Sequence, residues 1–370
     1  MEDLIHVRNS ERGTLDRCPQ QWWWAWREGL RPKETAKPLW FGTGIHLALA
    51  HYYGPGSKRR KDFIDVWRAF ADEEAEYIRV EIGGLDEQAW VDARELGEAM
   101  LLGYVKHYGN DRDWDVISTE QSFSVRIPYL NGEGHFILNG TFDGVYRDRR
   151  TKVIKLMEHK TAASISTGWL PMDNQGGTYW MVAQTVGREQ GWLGPKENIR
   201  EITYNFLRKA MPDERPKDAQ GYSTNKPLKA HYIAALEQAN IEWAPGPKGS
   251  PVPLDKATVN GLQVAASNLD VPVFGDRSKV QPPPLFERHP QKRTSRERKS
   301  QLRRLQAEAD KMLMYRDGRL VITKSPSRNT CPMCAFKEMC ELHERGSDWE
   351  EFRDALYRVD DPYADHRKSA

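Results

Sequence analysis

Hydrophobic positions recur at helical spacing through the first third of the 370-residue chain. This pattern predicts an N-terminal helix within the first 35 residues, opened by Ser10 or Thr14 as the cap and ended by Pro32. Three more helices are predicted in this part of the chain, over residues 43–53, 63–80 and 87–108. The N-terminal region is therefore expected to be helical.

The pattern then changes to the alternation that is typical of half-buried strands. Strands are predicted over residues 116–127, 134–146 and 153–159, and a charged turn makes the last two a hairpin. Helical spacing returns at 174–186, and one more strand is predicted at 199–207. This order of helices, strands, helix and strand predicts an α/β fold with a mixed central sheet flanked by helices.

Beyond residue 210 the composition becomes more polar and rich in proline. A helix is predicted at 231–243, whereas 244–284 shows no clear period and is expected to be a loop or an inserted flap. The chain is thus expected to divide into a helical region 1–110, a core 111–208, an insertion with a basic helix 209–324, a cysteine segment 325–345 and a tail 346–370.

Composition, charge and missing motifs argue against several classes of protein. The net charge of +2 leaves no bulk positive character, so any basic surface must be local. The chain lacks an apolar span of about 18 residues, which argues against a membrane helix. It also shows neither a secretory signal pattern at its start nor a GxxxxGK[ST] phosphate-binding motif. These features favour a cytoplasmic protein without membrane association.

Two carboxylates and a lysine form the sharpest chemical pattern. Asp143 lies in the motif Gly-Thr-Phe-Asp-Gly, and Glu158 and Lys160 lie on the next predicted strand. Because side chains alternate along a strand, Glu158 and Lys160 share a face, and Asp143 can face them from the partner strand. Such a group suits Mg²⁺ or Mn²⁺, with Lys160 orienting water or stabilising developing charge. The alternative is a salt-bridged surface hairpin.

Two neighbouring motifs hold further candidates. His46 follows two glycines near a predicted helix start and offers an imidazole ligand to the same ion, or else is a core histidine. Gln175 and Tyr179 share one helix face and are suited to hold a phosphate or a base. The alternative there is a half-buried helix, which the apolar residues after Tyr179 explain without a function.

In their order along the chain, these motifs and the cysteines resemble the RecB-type nuclease domain of the PD-(D/E)xK superfamily. The likeness covers about residues 10–190 and 325–343. More closely, the chain resembles the iron–sulfur branch that includes the CRISPR-associated exonuclease family and the AddB nuclease domain. This resemblance implies a restriction-endonuclease-like core and a catalytic site.

The resemblance also implies a role for each residue that matches a family motif. The metal ligands would be His46, Asp143 and Glu158, the catalytic lysine Lys160, and the residues beside the substrate Gln175 and Tyr179. Glu120, expected at a strand start, is a weaker candidate with an accessory acidic role. The implied ion is Mg²⁺ or Mn²⁺.

The four cysteines form a second candidate metal site. Cys331, Cys334 and Cys340 have the spacing C-x2-C-x5-C, and Cys18 is the fourth. A set of four thiolates suits either Zn²⁺ or a [4Fe–4S] cluster. One N-terminal cysteine with a C-terminal triplet resembles the iron–sulfur branch, which implies the cluster, with structural zinc as the alternative. Either centre would be a clasp that joins both ends of the chain.

A basic run at residues 288–304 contains eight Lys or Arg residues and one acid. It is expected either to line a channel for a DNA backbone or to be a solvated helix face. The DNA contacts expected from it are Arg288, Lys292, Arg293 and Arg296.

The expected function is a metal-dependent DNA exonuclease that acts on single-stranded ends in recombination, repair or CRISPR-like processing. The resemblance favours 5′-to-3′ polarity and a helicase, recombinase or integrase as partner. The alternative is a DNA-binding scaffold that serves such a partner without cutting. The set of Asp143, Glu158 and Lys160 favours the enzyme, because a relative that does not cut would be free to lose it.

Overall fold

The computed structural model describes residues 5–33, 39–56, 58–82 and 85–363. Parts of the predicted N-terminal helical region and of the predicted tail lie outside these residues. The chain forms two compact units, a larger one of residues 1–210 and 285–370 and a smaller one of residues 211–284.

The strands lie mostly in the larger unit. In the described residues they are β1 (His6–Val7), β2 (Leu30–Pro32), β3 (Trp114–Pro128), β4 (His135–Asp148), β5 (Ile154–Ala162), β6 (Glu201–Arg208), β7 (Trp243–Pro245), β8 (Pro251–Pro253), β9 (Phe286–Lys292) and β10 (Tyr357–Val359). The four strands predicted between residues 116 and 207 thus appear as β3 to β6, with bounds that differ by a few residues. They differ because the pairing of β3 with β4 extends past the alternating segments.

Six strands form one sheet of mixed direction. β4 pairs antiparallel with β3 along one edge, and along the other edge it pairs in parallel with β1 and antiparallel with β5. β5 continues in parallel with β6, and β6 pairs antiparallel with β9. The predicted mixed sheet is confirmed.

The helices of the described residues are α1 (Asn9–Arg17), α2 (Pro19–Trp22), α3 (Leu39–Tyr53), α4 (Phe63–Tyr77), α5 (Glu87–Tyr108), α6 (Asn174–Glu189), α7 (Lys229–Gln238), α8 (Val259–Asn268), α9 (Ser295–Arg316), α10 (Lys337–Arg345) and α11 (Trp349–Leu356). The helices predicted at 63–80 and 87–108 appear as α4 and α5, and the helix predicted from residue 43 begins earlier, at Leu39. None of the described helices has both the length and the apolar character needed to cross a bilayer.

Helices cover both faces of the sheet. One apolar cluster joins Leu156 of β5 to α6 and α9, and a second joins Met157 of the same strand to α3, α4 and α5. Because neighbouring side chains of a strand point to opposite faces, these two clusters lie on opposite sides of the sheet. The arrangement is the α/β fold that the pattern of elements predicted, with the restriction-endonuclease-like core that the family resemblance implied.

The N-terminal segment differs from the single helix predicted for it. α1 ends at Arg17, and Cys18 is extended (φ −162°, ψ 116°), because the proline at position 19 disfavours a helical residue before it. After α2 and a π-helical turn (Trp23–Arg27), Pro32 lies in β2 rather than at a helix end. β2 pairs with β10, so the N- and C-terminal segments are joined by backbone hydrogen bonds.

The smaller unit has an apolar core of its own. α7, α8 and the β7–β8 pair contribute buried side chains that include Leu236, Ala244 and Leu262. The prediction of a loop over 244–284 is therefore wrong where β7, β8 and α8 form. Strands of three residues and a helix of ten are too short to show a clear period, and α8 is set by its Thr258 cap. The insertion predicted at 209–324 contains this unit, whereas β9 and α9 belong to the larger unit.

Candidate active site

Two carboxylates meet where β4 and β5 stop pairing. The last paired residues are Gly144 and Met157, and Asp143 and Glu158 come next on the two strands. Past this point β5 continues beside β6 and leaves β4. The side chains of Asp143 and Glu158 are both buried, so each charge acts on the other with little screening by solvent.

Glu158 has two carboxylate oxygens in different surroundings. Oε1 accepts a hydrogen bond from Lys160 Nζ at 2.7 Å, whereas the buried Oε2 has no hydrogen-bond partner among the described residues. Burial, together with the charge of Asp143, raises the pKa of Glu158. A buried carboxylate oxygen without a partner is costly unless a cation binds it, so Oε2 fits the role of a metal ligand.

Asp143 is held by one backbone donor and one imidazole. Its Oδ2 accepts a hydrogen bond from the backbone N–H of His159 at 2.6 Å, and its Oδ1 lies 3.5 Å from His46 Nδ1. Burial lowers the pKa of His46, but the charge and hydrogen bond of Asp143 outweigh it and raise that pKa to about 9. A divalent ion bound between these groups would therefore displace a proton from His46.

Glu120 belongs to the same group of possible ligands. One ligand atom each of His46, Glu120 and Asp143 lies within 4.8 Å of the other two. The pairs on either side, Thr119 with Gly144 and Gln121 with Phe142, place Glu120 opposite Asp143. Glu120 lies inside β3 rather than at a strand start, with a left-handed φ of 46° that bulky residues rarely adopt. The sequence indicated Glu120 as an accessory acidic residue but did not indicate that it lies opposite Asp143.

The structure also brings Gln175 and Tyr179 to the lysine. Lys160 Nζ donates to Gln175 Oε1 at 2.8 Å, and Gln175 Nε2 donates to the Tyr179 hydroxyl at 3.3 Å. Tyr179 is only 7% exposed, and its ring packs edge-on against Phe123 and Phe142. The buried ring fits the half-buried helix, and the polar atoms of Gln175 and Tyr179 face Lys160. Their predicted contact with a phosphate or a base stays a prediction.

The start of α6 explains the two glycines between Gln175 and Thr178. Asp173 caps the helix by accepting the backbone N–H groups of Gln175 and Gly176. A Cβ on Gly176 would lie 1.8 Å from the Tyr204 hydroxyl, and one on Gly177 would lie 2.4 Å from an Arg293 nitrogen. The glycine at 176 therefore lets α6 approach β6 closely, and that approach puts Gln175 within reach of Lys160.

A family model of the PD-(D/E)XK nuclease superfamily matches residues 10–341. The chain belongs to the PD-(D/E)XK nuclease superfamily. No curated protein matches it. The predicted resemblance is thereby confirmed at the level of the superfamily, which supports a nuclease with DNA as substrate and Mg²⁺ or Mn²⁺ as the usual ion. The closer likeness to the iron–sulfur branch and the roles of single residues stay predictions.

In this nuclease we expect Tyr179→Phe to lower the rate of DNA cleavage by up to about tenfold, since it removes one hydrogen bond of about 0.5–1.5 kcal/mol beside Lys160. The remaining ring keeps its packing against Phe123 and Phe142, so the melting temperature should change little. Cleavage of labelled DNA and thermal unfolding would be measured together. Tyr315→Phe, at a buried tyrosine of the same core, is the control. Full activity in Tyr179→Phe would show that this tyrosine contributes only to packing in the core.

The four cysteines of the nuclease surround one cavity of about 660 Å³. The extended backbone at Cys18 turns this residue out of α1, and the cavity is also lined by Cys331, Cys334 and Cys340. Backbone N–H groups of Ser325 and Ser327 donate to sulfur atoms, at 3.4 Å to Cys18 and 3.2 Å to Cys331. These donors and the convergence of four thiols fit a centre held by thiolates.

The thiols in this cavity are unfavourable as free anions. Burial raises the pKa of Cys334 and of Cys340, and the neighbouring cysteines raise both further. Four thiolates would therefore repel one another unless a cation or an iron–sulfur cluster neutralised them. The donor set accordingly fits a metal centre better than four unrelated thiols.

The basic residues of the run at 288–304 differ in their exposure to solvent. Arg288 is largely buried and paired with Asp111, so its donors are used inside the protein, which disfavours its predicted DNA contact. Arg293 is half-buried and donates to the backbone oxygens of Leu170 and Asp173. Lys292 and Arg296 are exposed, at the end of β9 and the start of α9. The prediction of a DNA contact stays open for these two.

Proposed function

We propose that this nuclease is a metal-dependent DNA exonuclease that acts on single-stranded ends. The observation that carries the proposal is the state of Glu158, whose Oε1 is bound to Lys160 while the buried Oε2 lacks a partner among the described residues, beside Asp143. A Mg²⁺ or Mn²⁺ ion at these oxygens would polarise a phosphodiester and lower the pKa of an attacking water.

The residues of the site fall into two groups: some would bind the ion, and the others would act on the water or the phosphate. Asp143, Glu158 and His46 would hold the ion, with Glu120 within reach of the same position. Lys160, held between Glu158 and Gln175, would orient the water or stabilise the charge that develops on the phosphate. Gln175 and Tyr179 keep the Lys160 ammonium in place through a continuous chain of hydrogen bonds.

The proposed preference for single-stranded ends is supported by the resemblance to the iron–sulfur exonucleases. The same resemblance favours 5′-to-3′ polarity. The same resemblance supports a [4Fe–4S] cluster at Cys18, Cys331, Cys334 and Cys340, with zinc as the alternative. It extends to a helicase, recombinase or integrase as partner in recombination, repair or CRISPR-like processing.

Exposed cations offer a path for the DNA backbone. Arg296, Lys299 and Arg303 are exposed on α9 at spacings of three and four residues, so they share one helix face. α9 packs on α6, the helix that carries Gln175 and Tyr179. This stripe lies on the face of α9 opposite its buried side and, together with exposed Lys292, supports contacts to phosphates.

The test is cleavage of single-stranded DNA labelled at its 5′ or its 3′ end, with Mn²⁺ and with EDTA. We expect progressive loss of the labelled strand with Mn²⁺ and none with EDTA, because water activation needs the ion. The order in which the two labels are released gives the polarity. Covalently closed single-stranded circles are the control and should stay intact, since they have no end. Cutting of circles would indicate an endonuclease, and DNA binding without any cleavage would favour the scaffold.

A further inference from the structure

A largely buried arginine lies behind the candidate active site. Arg288 of β9 stacks between two aromatic rings, with its guanidinium carbon 3.6 Å from the Tyr108 ring centre and 4.2 Å from that of Trp114. Its two terminal nitrogens donate to the two carboxylate oxygens of Asp111 at 2.7 and 2.8 Å. A buried ion pair is costly to desolvate, so its presence calls for an explanation beyond stability.

The remaining donors of Arg288 reach the elements that carry the site. One terminal nitrogen also donates to the hydroxyls of Tyr53, at 2.9 Å, and Tyr104, at 2.7 Å. Tyr53 lies on α3, two helical turns after His46. The guanidinium therefore anchors the helix that presents the imidazole.

The inner nitrogen of Arg288 starts a chain of hydrogen bonds to the ring of His159, the residue whose backbone binds Asp143. Arg288 Nε donates to Asn205 Oδ1 at 3.3 Å, and Asn205 Nδ2 donates to His159 Nδ1 at 2.7 Å. Because Arg288 only donates, Asn205 must present its oxygen to the arginine and its amide group to the histidine. His159 Nδ1 is thus an acceptor, and the backbone N–H of the same residue donates to Asp143 Oδ2.

We propose that Arg288 is a positioning residue that acts through Asn205 and His159 to orient Asp143 and His46 for a divalent ion. The chain holds the ring of His159, whose backbone N–H occupies Asp143 Oδ2 and leaves Oδ1 facing His46. Groups that orient ligands in this way tune metal affinity without touching the ion. The inference rests on the proposed nuclease function, since it assigns a task at the same site.

Asn205→Leu tests the chain, because it removes both hydrogen bonds of a residue with 0% exposure while leaving Arg288 paired with Asp111. We expect the half-saturating Mn²⁺ concentration to rise about tenfold, as is usual when an outer-shell partner is lost. Mn²⁺ binding would be followed by electron paramagnetic resonance without DNA, and cleavage would be titrated with Mn²⁺ in parallel. Saturating Mn²⁺ should restore most of the cleavage rate.

The matched control is Tyr146→Phe, which removes the buried hydrogen bond to Thr203 at 3.0 Å in the same sheet. It should lower stability by a similar amount and leave Mn²⁺ affinity unchanged. Asn205→Asp is the second variant if Asn205→Leu fails to fold. It keeps the size and the contact to Arg288 but turns an oxygen towards His159 Nδ1, so it should move the ring proton, as seen by ¹⁵N resonances, and weaken Mn²⁺ binding.

The outcomes separate this inference from the function on which it rests. Wild-type protein that neither binds Mn²⁺ nor cuts DNA would overturn the proposed function and this inference with it. Wild-type protein that does both, beside folded Asn205 variants with unchanged Mn²⁺ affinity, would overturn only the positioning role. A tenfold loss of affinity in the Asn205 variants and none in Tyr146→Phe supports it.

Discussion

Glu158→Gln is expected to lower DNA cleavage by about a thousandfold or more, since a bound divalent ion supplies several kcal/mol of transition-state stabilisation and about 4 kcal/mol corresponds to that factor. Glutamine keeps the shape of the side chain but removes the charge that would hold the ion at Oε2. The measurement is the rate of loss of end-labelled single-stranded DNA in Mn²⁺, together with DNA binding by gel shift. Binding should persist, because contacts to phosphate do not depend on Glu158.

A second carboxylate–lysine pair in the same sheet provides the control. Glu201 of β6 lies 2.7 Å from Lys155 of β5, the same separation as between Glu158 and Lys160. Glu201→Gln therefore removes an equivalent buried charge away from Asp143 and should leave cleavage unchanged. Lys160→Ala should lose cleavage as Glu158→Gln does. Undiminished cutting by both of these variants would contradict the assignment of the site.

The parts of the site that are close in sequence could be predicted from it. Alternation along a strand and a short turn are enough to bring Glu158, Lys160 and Asp143 together, because register in a hairpin follows from the turn. Gln175 and Tyr179 are four residues apart in a helix, so their shared face follows from helix geometry alone. These local rules operate over a few residues and need no tertiary information.

Arg288 shows what local rules cannot provide. It belongs to a run of positive charge that predicts a surface, yet its partner Asp111 is 177 residues away in the sequence. The aromatic rings of Tyr108 and Trp114 that cover it come from α5 and β3. The charges along the chain do not reveal such distant partners, so the burial of Arg288 could not be predicted from the sequence. The position of Glu120 beside the site could not be predicted for a similar reason, since its register opposite Asp143 follows from the pairing of β3 with β4.

The cysteine site could be predicted from the sequence only in part. Their spacing predicts a metal centre, but the conformation of Cys18 depends on the proline that follows it. The single long helix predicted for the N-terminal segment would have kept Cys18 on a helix face. In the structure the extended backbone lets its sulfur reach the cavity that the C-terminal triplet lines.

Cys18→Ser is expected to remove the proposed cluster and to weaken the link between the two ends of the chain. Around the cavity an apolar cluster joins Trp24 and Leu30 to Phe336, Met339 and Tyr357, and β2 pairs with β10. The metal centre would add to these contacts, so its loss would weaken the link between the two segments without removing it. We expect a loss of about 4 kcal/mol, or about 10 °C in Tm, and rapid cleavage by trypsin.

The measurement is iron content and absorbance of protein purified without air. Wild-type protein should be brown, with a broad band near about 400 nm from charge transfer between sulfur and iron, and Cys18→Ser should lack it. Ser325→Ala is the control, because it keeps the backbone N–H that donates to Cys18 and should keep the colour. Colourless wild-type protein with stoichiometric zinc and no iron would exclude the cluster but keep the clasp. Protein with neither metal would exclude both, and in each case Glu158, which lies on β5, would remain the test of the nuclease itself.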